Sequence, residues 1–193
     1  MRKTEPIEMQ KLVSIKAGVA QHRINVSRDD KAPTYYYYTA DDILTDLAGA
    51  ESDPDLSKVT QVRTMDDMEP IKEGDLVFSL ITGKAAIVSE QHSGFLITQN
   101  FVTLIPDESI DKKYLLFLLN ETGVIEKHVL GAKKIAISQL MTLPLSGLPD
   151  LRKQREIGDI YLKQKHLTYL RSQILVLREQ YVLEKLRQKI DKE

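Results

Sequence analysis

The sequence predicts an α+β fold: a mixed domain followed by a long C-terminal coiled-coil helix. Three observations carry that expectation. Strand-like and helix-like segments interleave through residues 1–150 without a regular β-α-β alternation. From Asp150 onward there is no proline, and the only glycine is Gly158. Apolar residues in that tail recur by heptads.

Taken in chain order, Tyr35–Tyr38, Val59–Arg63, Gly74–Ile81, Lys84–Ser89 and Phe101–Ile105 read as short strands. Aromatic and β-branched residues fill them, and Gly, Pro, Asp and Glu bound them. In Tyr35–Tyr38, alternation sends two rings inward and two outward; a core-and-surface role and a platform for stacking bases both fit. Helices are expected at Ala40–Ala48 and Asp111–Asn120, the second opened by Asp111 and apolar at Tyr114, Leu115, Leu118 and Leu119. Val124–Leu130 reads as a further turn or two. Pro144, Gly147 and Pro149 then break the pattern, and Asp150 is placed to cap the C-terminal helix. The expected domains are therefore residues 1–148 and a helix over 149–193.

In that helix Ile160, Leu167, Ile174 and Tyr181 lie seven apart, with Leu170 and Leu177 three residues on, forming an a/d seam. Lys163 and Glu184 blunt its two ends. A second row, Leu162, Tyr169, Val176, Leu183 and Ile190, repeats at sevens on another face. A helix apolar on two faces calls for two neighbours, in contrast to one lying wholly on its own domain. Charge divides the same way: residues 1–150 hold 16 Lys and Arg against 22 Asp and Glu, a net of −6. Residues 151–193 hold 11 against 6, a net of +5.

Composition removes several classes. The 193 residues contain no cysteine, so disulfide scaffolds, thiolate metal sites and cysteine nucleophiles are excluded. No apolar run approaches the ~18 residues of a membrane span, and no apolar stretch follows Met1 to make a signal peptide; a cytoplasmic protein away from the membrane is expected. His22, His92, His128 and His166 show no zinc-hydrolase spacing. There is no nucleophile-elbow, P-loop or glycine-rich nucleotide turn, so no cofactor and no metal are expected. Pro106-Asp107 with Asp111-Lys112-Lys113 imitates a metal-nuclease pattern. Three residues between the acids suit helix capping better than two strands sharing one Mg²⁺.

Five segments in order resemble the specificity subunits of type I restriction-modification systems. Ile71-Lys-Glu-Gly-Asp-Leu-Val-Phe-Ser-Leu-Ile-Thr-Gly83 is similar to that family's Lys-x-Gly-Asp signature strand. Ile97–Leu104 resembles the strand after it, and Lys113–Leu119 its Tyr-Leu helix. Gly131–Leu140 resembles its glycine turn, and Leu143–Ile157 its Pro-Leu-x-x-Gln-x-x-Ile lead-in to a long helix. Residues 1–70 match only loosely. The resemblance implies a DNA target-recognition domain with one spacer helix, where family members usually carry two of each with the helices antiparallel. Two copies about a two-fold axis would restore that arrangement.

The resemblance thus implies a non-catalytic specificity subunit. It would read a split, palindromic double-stranded DNA target as a homodimer and dock a methyltransferase subunit, with the restriction subunit joining through the complex. Leu167, Leu170, Ile174, Leu177 and Tyr181 would pair the copies; Tyr169, Val176 and Leu183 would remain for the methyltransferase. Candidate DNA contacts are Lys127, His128, Lys133 and Lys134 around Gly131, Thr82 and Lys84 after the signature strand, and His22 and Arg23. At each, a solvated loop residue is the alternative. Asn100 fits an adenine contact or a strand-end backbone partner equally. The other function class is an orphan or truncated interaction protein that regulates DNA or competes with a full-length subunit.

Overall fold

Four of the strands between residues 13 and 106 gather into one antiparallel sheet, in a computed structural model that describes residues 5–50, 56, 57, 59–129 and 133–190. The elements are β1 (Ile7–Glu8), β2 (Val13–Ala17), β3 (Thr34–Tyr36), α1 (Ala40–Ala48), β4 (Gln61–Arg63), β5 (Leu76–Ser79) and β6 (Ala85–Ile87). After them come β7 (Phe101–Pro106), α2 (Lys112–Glu121), α3 (Val124–His128), α4 (Ile137–Met141), β8 (Pro144–Leu145) and α5 (Leu151–Ile190). The main sheet runs β2-β7-β5-β6, and two-stranded pairs β3-β4 and β1-β8 flank it. The fold is α+β with a long C-terminal helix.

Local chemistry explains the best-defined elements. Thr39 and Asp42 form a reciprocal capping box at the start of α1, and Gly49, at φ 62°, ends it in the left-handed conformation that glycine tolerates. Asp111 caps α2, its side chain accepting from the backbone N–H groups of Lys113 and Tyr114. The backbone N–H of Lys153 donates to Asp150 Oδ1 at 3.1 Å, capping α5. Leu76, Phe78, Val102 and Leu104 from the sheet and Leu115, Leu116 and Leu119 from α2 fill the main core, with Tyr161 of α5 against it.

The structure departs from two local expectations. Strand β3 stops at Tyr36, yet the alternation continues, with Tyr35 and Tyr37 in one apolar cluster and Tyr36 and Tyr38 in another; both faces of the run are covered, and Tyr37 and Tyr38 are buried at 7% and 1% exposure. The chain there leaves the sheet for the Thr39 cap, and the two rings enter different apolar clusters. A base-stacking platform across all four is thereby removed. Strand β2 and helix α4 lie outside the elements expected, although Val13, Ile15 and Ala17 alternate with Ser14 and Lys16. The glycine turn falls partly outside the described residues, at 130–132.

Helix α5 is unbroken for 40 residues, about 60 Å at 1.5 Å per residue. Its first turns dock on α2 in the same direction. Gln154, 2% exposed, accepts from the backbone N–H of Asp111 at 2.8 Å and donates to the carbonyls of Ser109 and Pro149. Lys113 pairs with Asp159 at 2.6 Å, and Glu121 receives Lys165 at 2.6 Å and the Tyr161 hydroxyl at 3.0 Å. Gly158 sits where a Cβ would lie 2.5 Å from Lys113 Cβ and 2.8 Å from its carbonyl carbon. From Leu170 to Lys189 every side chain is exposed.

Candidate nucleic-acid interface

Strand register brings distant loops together. Ala17 pairs with Val102, Phe78 with both Val102 and Ala85, and Ser79 with Phe101. The end of β2, the start of β7 and the β5–β6 turn therefore share one edge of the sheet. Backbone hydrogen bonds lock the segments beyond it. Gln99 N–H donates to Val19 O, Leu80 N–H to Asn100 O, and Ile135 N–H to Leu80 O, at 2.7–2.9 Å. Gly18 belongs to this clasp, since a Cβ there would sit 2.2 Å from the carbonyl oxygen of Thr98.

Most of the candidate DNA contacts meet at this edge. His22 and Arg23 are exposed on a one-turn 3-10 helix, Gln21–Arg23, just after the Val19 pairing. Thr82 is exposed in the β5–β6 turn, where its N–H donates to Ser79 Oγ at 3.1 Å. Lys84 follows it, half-buried, with Nζ 3.4 Å from the carbonyl of Asn120. Lys133 is exposed. Lys134 Nζ donates to Gln99 O at 2.8 Å and to Asn100 Oδ1 at 3.1 Å. An ammonium only donates, so Asn100 must turn its oxygen to Lys134, leaving its Nδ2–H₂ as the free polar face. Sequence reasoning named Asn100 and Lys134 separately; their pairing has no signal in a sequence where 33 residues lie between them.

Lys127 and His128 are not part of that clasp. Lys127 Nζ reaches the carbonyl of Thr122 at 3.4 Å, and His128 Nδ1 donates to the carbonyl of Val124 at 2.8 Å. Both line a cleft with Pro6, Pro144 and Ser146, beside β1 and β8. The run from Lys127 to Lys134 is thus divided between two places.

Asp107 and Asp111 are engaged locally. Asp107 Oδ1 accepts from the Ser109 backbone N–H at 2.8 Å and Asp111 caps α2. Among the described residues, no group of three or more His, Asp or Glu is placed to hold a metal. No helix there is long and apolar enough to cross a membrane.

A buried ionic cluster between α1 and the segment after β6 went unread in the sequence. His92, 2% exposed, contacts Asp46 at 2.8 Å through Nδ1 and Asp42 at 3.2 Å through Nε2. Tyr38 and Ser89 hydroxyls donate to Asp46 at 2.7 and 2.6 Å. Burial opposes the imidazolium, but hydrogen bonds to both carboxylates and their charge outweigh it and raise the pKa to about 9. Asp42 is held below the usual range: burial works against its charge, and hydrogen bonds from His92 and Thr39 overcome that. With both ring nitrogens donating to carboxylates, His92 has no lone pair for Ser89, so the trio stores a charge pair and cannot act as a hydrolytic triad. The signal is only Asp42 and Asp46 one turn apart on α1, 46 or more residues from His92.

The signs fix a pH window. Stabilisation from His92 is complete below its ordinary pKa of 6.5 and is lost as pH rises through about 9. Stabilisation from Asp42 is present above its ordinary 3.8 and is lost as pH falls. The thermal midpoint should be flat between these limits and fall from pH 6.5 towards 9, by an amount corresponding to on the order of 3 kcal/mol. Scanning calorimetry across the range checks it; an unchanged midpoint up to pH 9 would show His92 to be neutral throughout.

On α5, ~100° per residue separates three faces. Gln154, Gly158, Tyr161 and Lys165 face the globule. The seam through Leu167, Leu170, Ile174, Leu177 and Tyr181 lies roughly opposite and is exposed, from 41% at Leu170 to 62% at Leu177. The second row continues the docked face: Leu162 packs on the chain's own core and Tyr169 is half-buried, while Val176 and Leu183 are exposed. Part of the row expected to await a partner is therefore used internally.

No protein-family model matches the chain, and no curated protein sequence does. Solved structures share its fold, among them the following three. The HsdS subunit from Thermoanaerobacter tengcongensis superposes with a TM-score of 0.57 at 16% identity, over 86% of this chain and 39% of its own. The S subunit of the type I restriction-modification system of M. genitalium gives 0.55 at 19%, over 93% and 43%. A chain from a structure on complex assembly and conformational transition of the type I R-M system gives 0.61 at 17%, over 93% and 42%. The chain spans about two fifths of their length. It has the fold of one part of a type I specificity subunit.

Proposed function

We propose that the chain is a non-catalytic DNA reader, the specificity component of a type I restriction-modification assembly. The convergence of His22, Arg23, Thr82, Lys84, Asn100, Lys133 and Lys134 on one sheet edge carries this reading, because it gives a net-negative domain one local cationic surface. The likeness to solved S subunits agrees with it. In this account two copies pair through the Leu167–Tyr181 seam and read a split palindrome. Residues 149–193 form the spacer, and Val176 and Leu183, with the edge of Tyr169, are the ground for a methyltransferase subunit. The restriction subunit joins through that complex. Lys127 and His128 make at most peripheral phosphate contacts.

The cationic edge is tested by paired substitutions. Lys133→Ala should lower affinity for all duplexes alike and reduce the slope of log K against log salt by about one. Lys134→Ala should do the same and also change sequence preference, because it frees Asn100. Electrophoretic or fluorescence binding at several salt concentrations measures both; unchanged affinity and slope would remove this edge from DNA binding.

Pairing is tested by sedimentation equilibrium at micromolar concentration. A species of twice the 22.0 kDa chain mass is expected, reverting to the single mass in Ile174→Asp. A single-mass species in the unaltered protein would refute the dimer.

A further inference from the structure

We infer that Asn100 and Lys134 act together as a donor pair that selects guanine, where a free asparagine selects adenine. This rests on the DNA reading proposed above and names the base that one point of the cationic edge recognises. Backbone hydrogen bonds set the two residues side by side. Leu80 ties both segments: its N–H donates to the Asn100 carbonyl at 2.8 Å, and its own carbonyl accepts from the N–H of Ile135, the residue after Lys134, at 2.7 Å. Asn100 N–H also donates to Thr98 Oγ1 at 3.4 Å. Phe101 pairs with Ser79 in the main sheet, so strand register fixes the root of the Asn100 side chain. Asn100 is half-buried there, and Lys134 is exposed.

The hydrogen-bond inventory then decides which base edge fits. An ammonium has three protons. Lys134 gives one to Gln99 O at 2.8 Å and one to Asn100 Oδ1 at 3.1 Å, so one remains. The two protons on Asn100 Nδ2 have no partner among the described residues. The pair therefore meets a base with donors. In the major groove adenine presents an acceptor, N7, beside a donor, N6–H₂; asparagine matches it by donating through Nδ2 and accepting through Oδ1. Here that oxygen already holds the ammonium, so an adenine amino group approaching it would be set against a cation. Guanine presents two acceptors, N7 and O6, which an Nδ2–H and the remaining Nζ–H satisfy together. Cytosine offers a donor at this edge, and thymine a single acceptor beside a methyl group. The charge strengthens the same preference, because a hydrogen bond from an ammonium is stronger than a neutral one.

A pool of random DNA duplexes, selected separately with the unaltered protein, Lys134→Met and Lys133→Met, tests the pair. Lys134→Met keeps a long unbranched side chain and removes its charge, so Asn100 regains its oxygen. One guanine of the sequence enriched by the unaltered protein should become adenine with Lys134→Met, while the other positions stay as they are. Lys133→Met alters the charge beside the pair; it should bind more weakly yet enrich the same sequence. Replacing that guanine by 7-deazaguanine, which lacks N7 but still pairs with cytosine, should weaken binding of the unaltered protein about tenfold. An unchanged sequence with Lys134→Met, or a changed position that was not guanine, would overturn the inference. The same base change in Lys133→Met would overturn it too, as would equal binding of the 7-deazaguanine duplex. Those outcomes leave DNA reading itself standing, whereas enrichment of no sequence by the unaltered protein would end both.

Discussion

His92→Ala is expected to lower the stability of the fold by about 3–5 kcal/mol, the cost of removing one member of a buried charge network. Two carboxylates, Asp42 and Asp46, share the imidazolium, and Asp46 also holds the Tyr38 and Ser89 hydroxyls. Without the ring, two negative charges face each other beside Phe95 and Phe101, which pack against His92 and Tyr38. In a chain of this size the thermal midpoint should fall by roughly 10 °C. Adding Asp42→Asn and Asp46→Asn should recover part of that loss by removing the repulsion. Calorimetry of the single and triple variants measures both. A loss under about 1 kcal/mol for His92→Ala would show that water already shares these charges.

Gly158→Ala is expected to destabilise the protein, opposite in sign to what helix propensity alone dictates. Glycine within a helix is about 1 kcal/mol worse than alanine, so a glycine merely tolerated in α5 would be improved by the change. Here the new Cβ would lie 2.5 Å from Lys113 Cβ and under 3 Å from the backbone of α2, neither of which yields cheaply. Overpacking of this kind costs about 1–3 kcal/mol or more and works directly on the seating of the helix. The Gln154, Asp159 and Tyr161 contacts lie on the same face and should loosen together. Urea denaturation gives the sign, and increased hydrogen exchange at Asp111–Tyr114 gives the place. A more stable Gly158→Ala protein would mean that α5 rides farther from α2.

These two sites show what a sequence conveys and what it hides. Helix α1 was legible to the residue, since Thr39, Asp42 and Gly49 mark its ends with local chemistry. Asp111 and the heptads of the tail are equally local signals, and β5 through β7 follow from apolar runs between turns. Strand β2 was missed despite its alternation, because its partner β7 begins 84 residues later. Gly158 stood out as the lone glycine of the tail, but its reason is the approach of α2, about 45 residues away. The candidate interface was legible as a set of cationic loops and illegible as a place. Only strand register puts the Val19, Leu80, Asn100 and Ile135 segments side by side, and only then do Lys127 and His128 separate from Lys134. The tyrosine run alternates past the end of β3, between two apolar clusters; that both sides of it are covered was illegible, because Phe95 and Leu96, which cover them, are distant in the sequence.

Selection from a pool of random duplexes bears most directly on the claim that paired rods hold two reading edges apart. The unaltered protein should enrich one sequence made of two inverted halves separated by unselected bases, and Ile174→Asp should enrich at most one half. Recovery of no sequence, or of a single uninterrupted site that Ile174→Asp reads equally well, would contradict it.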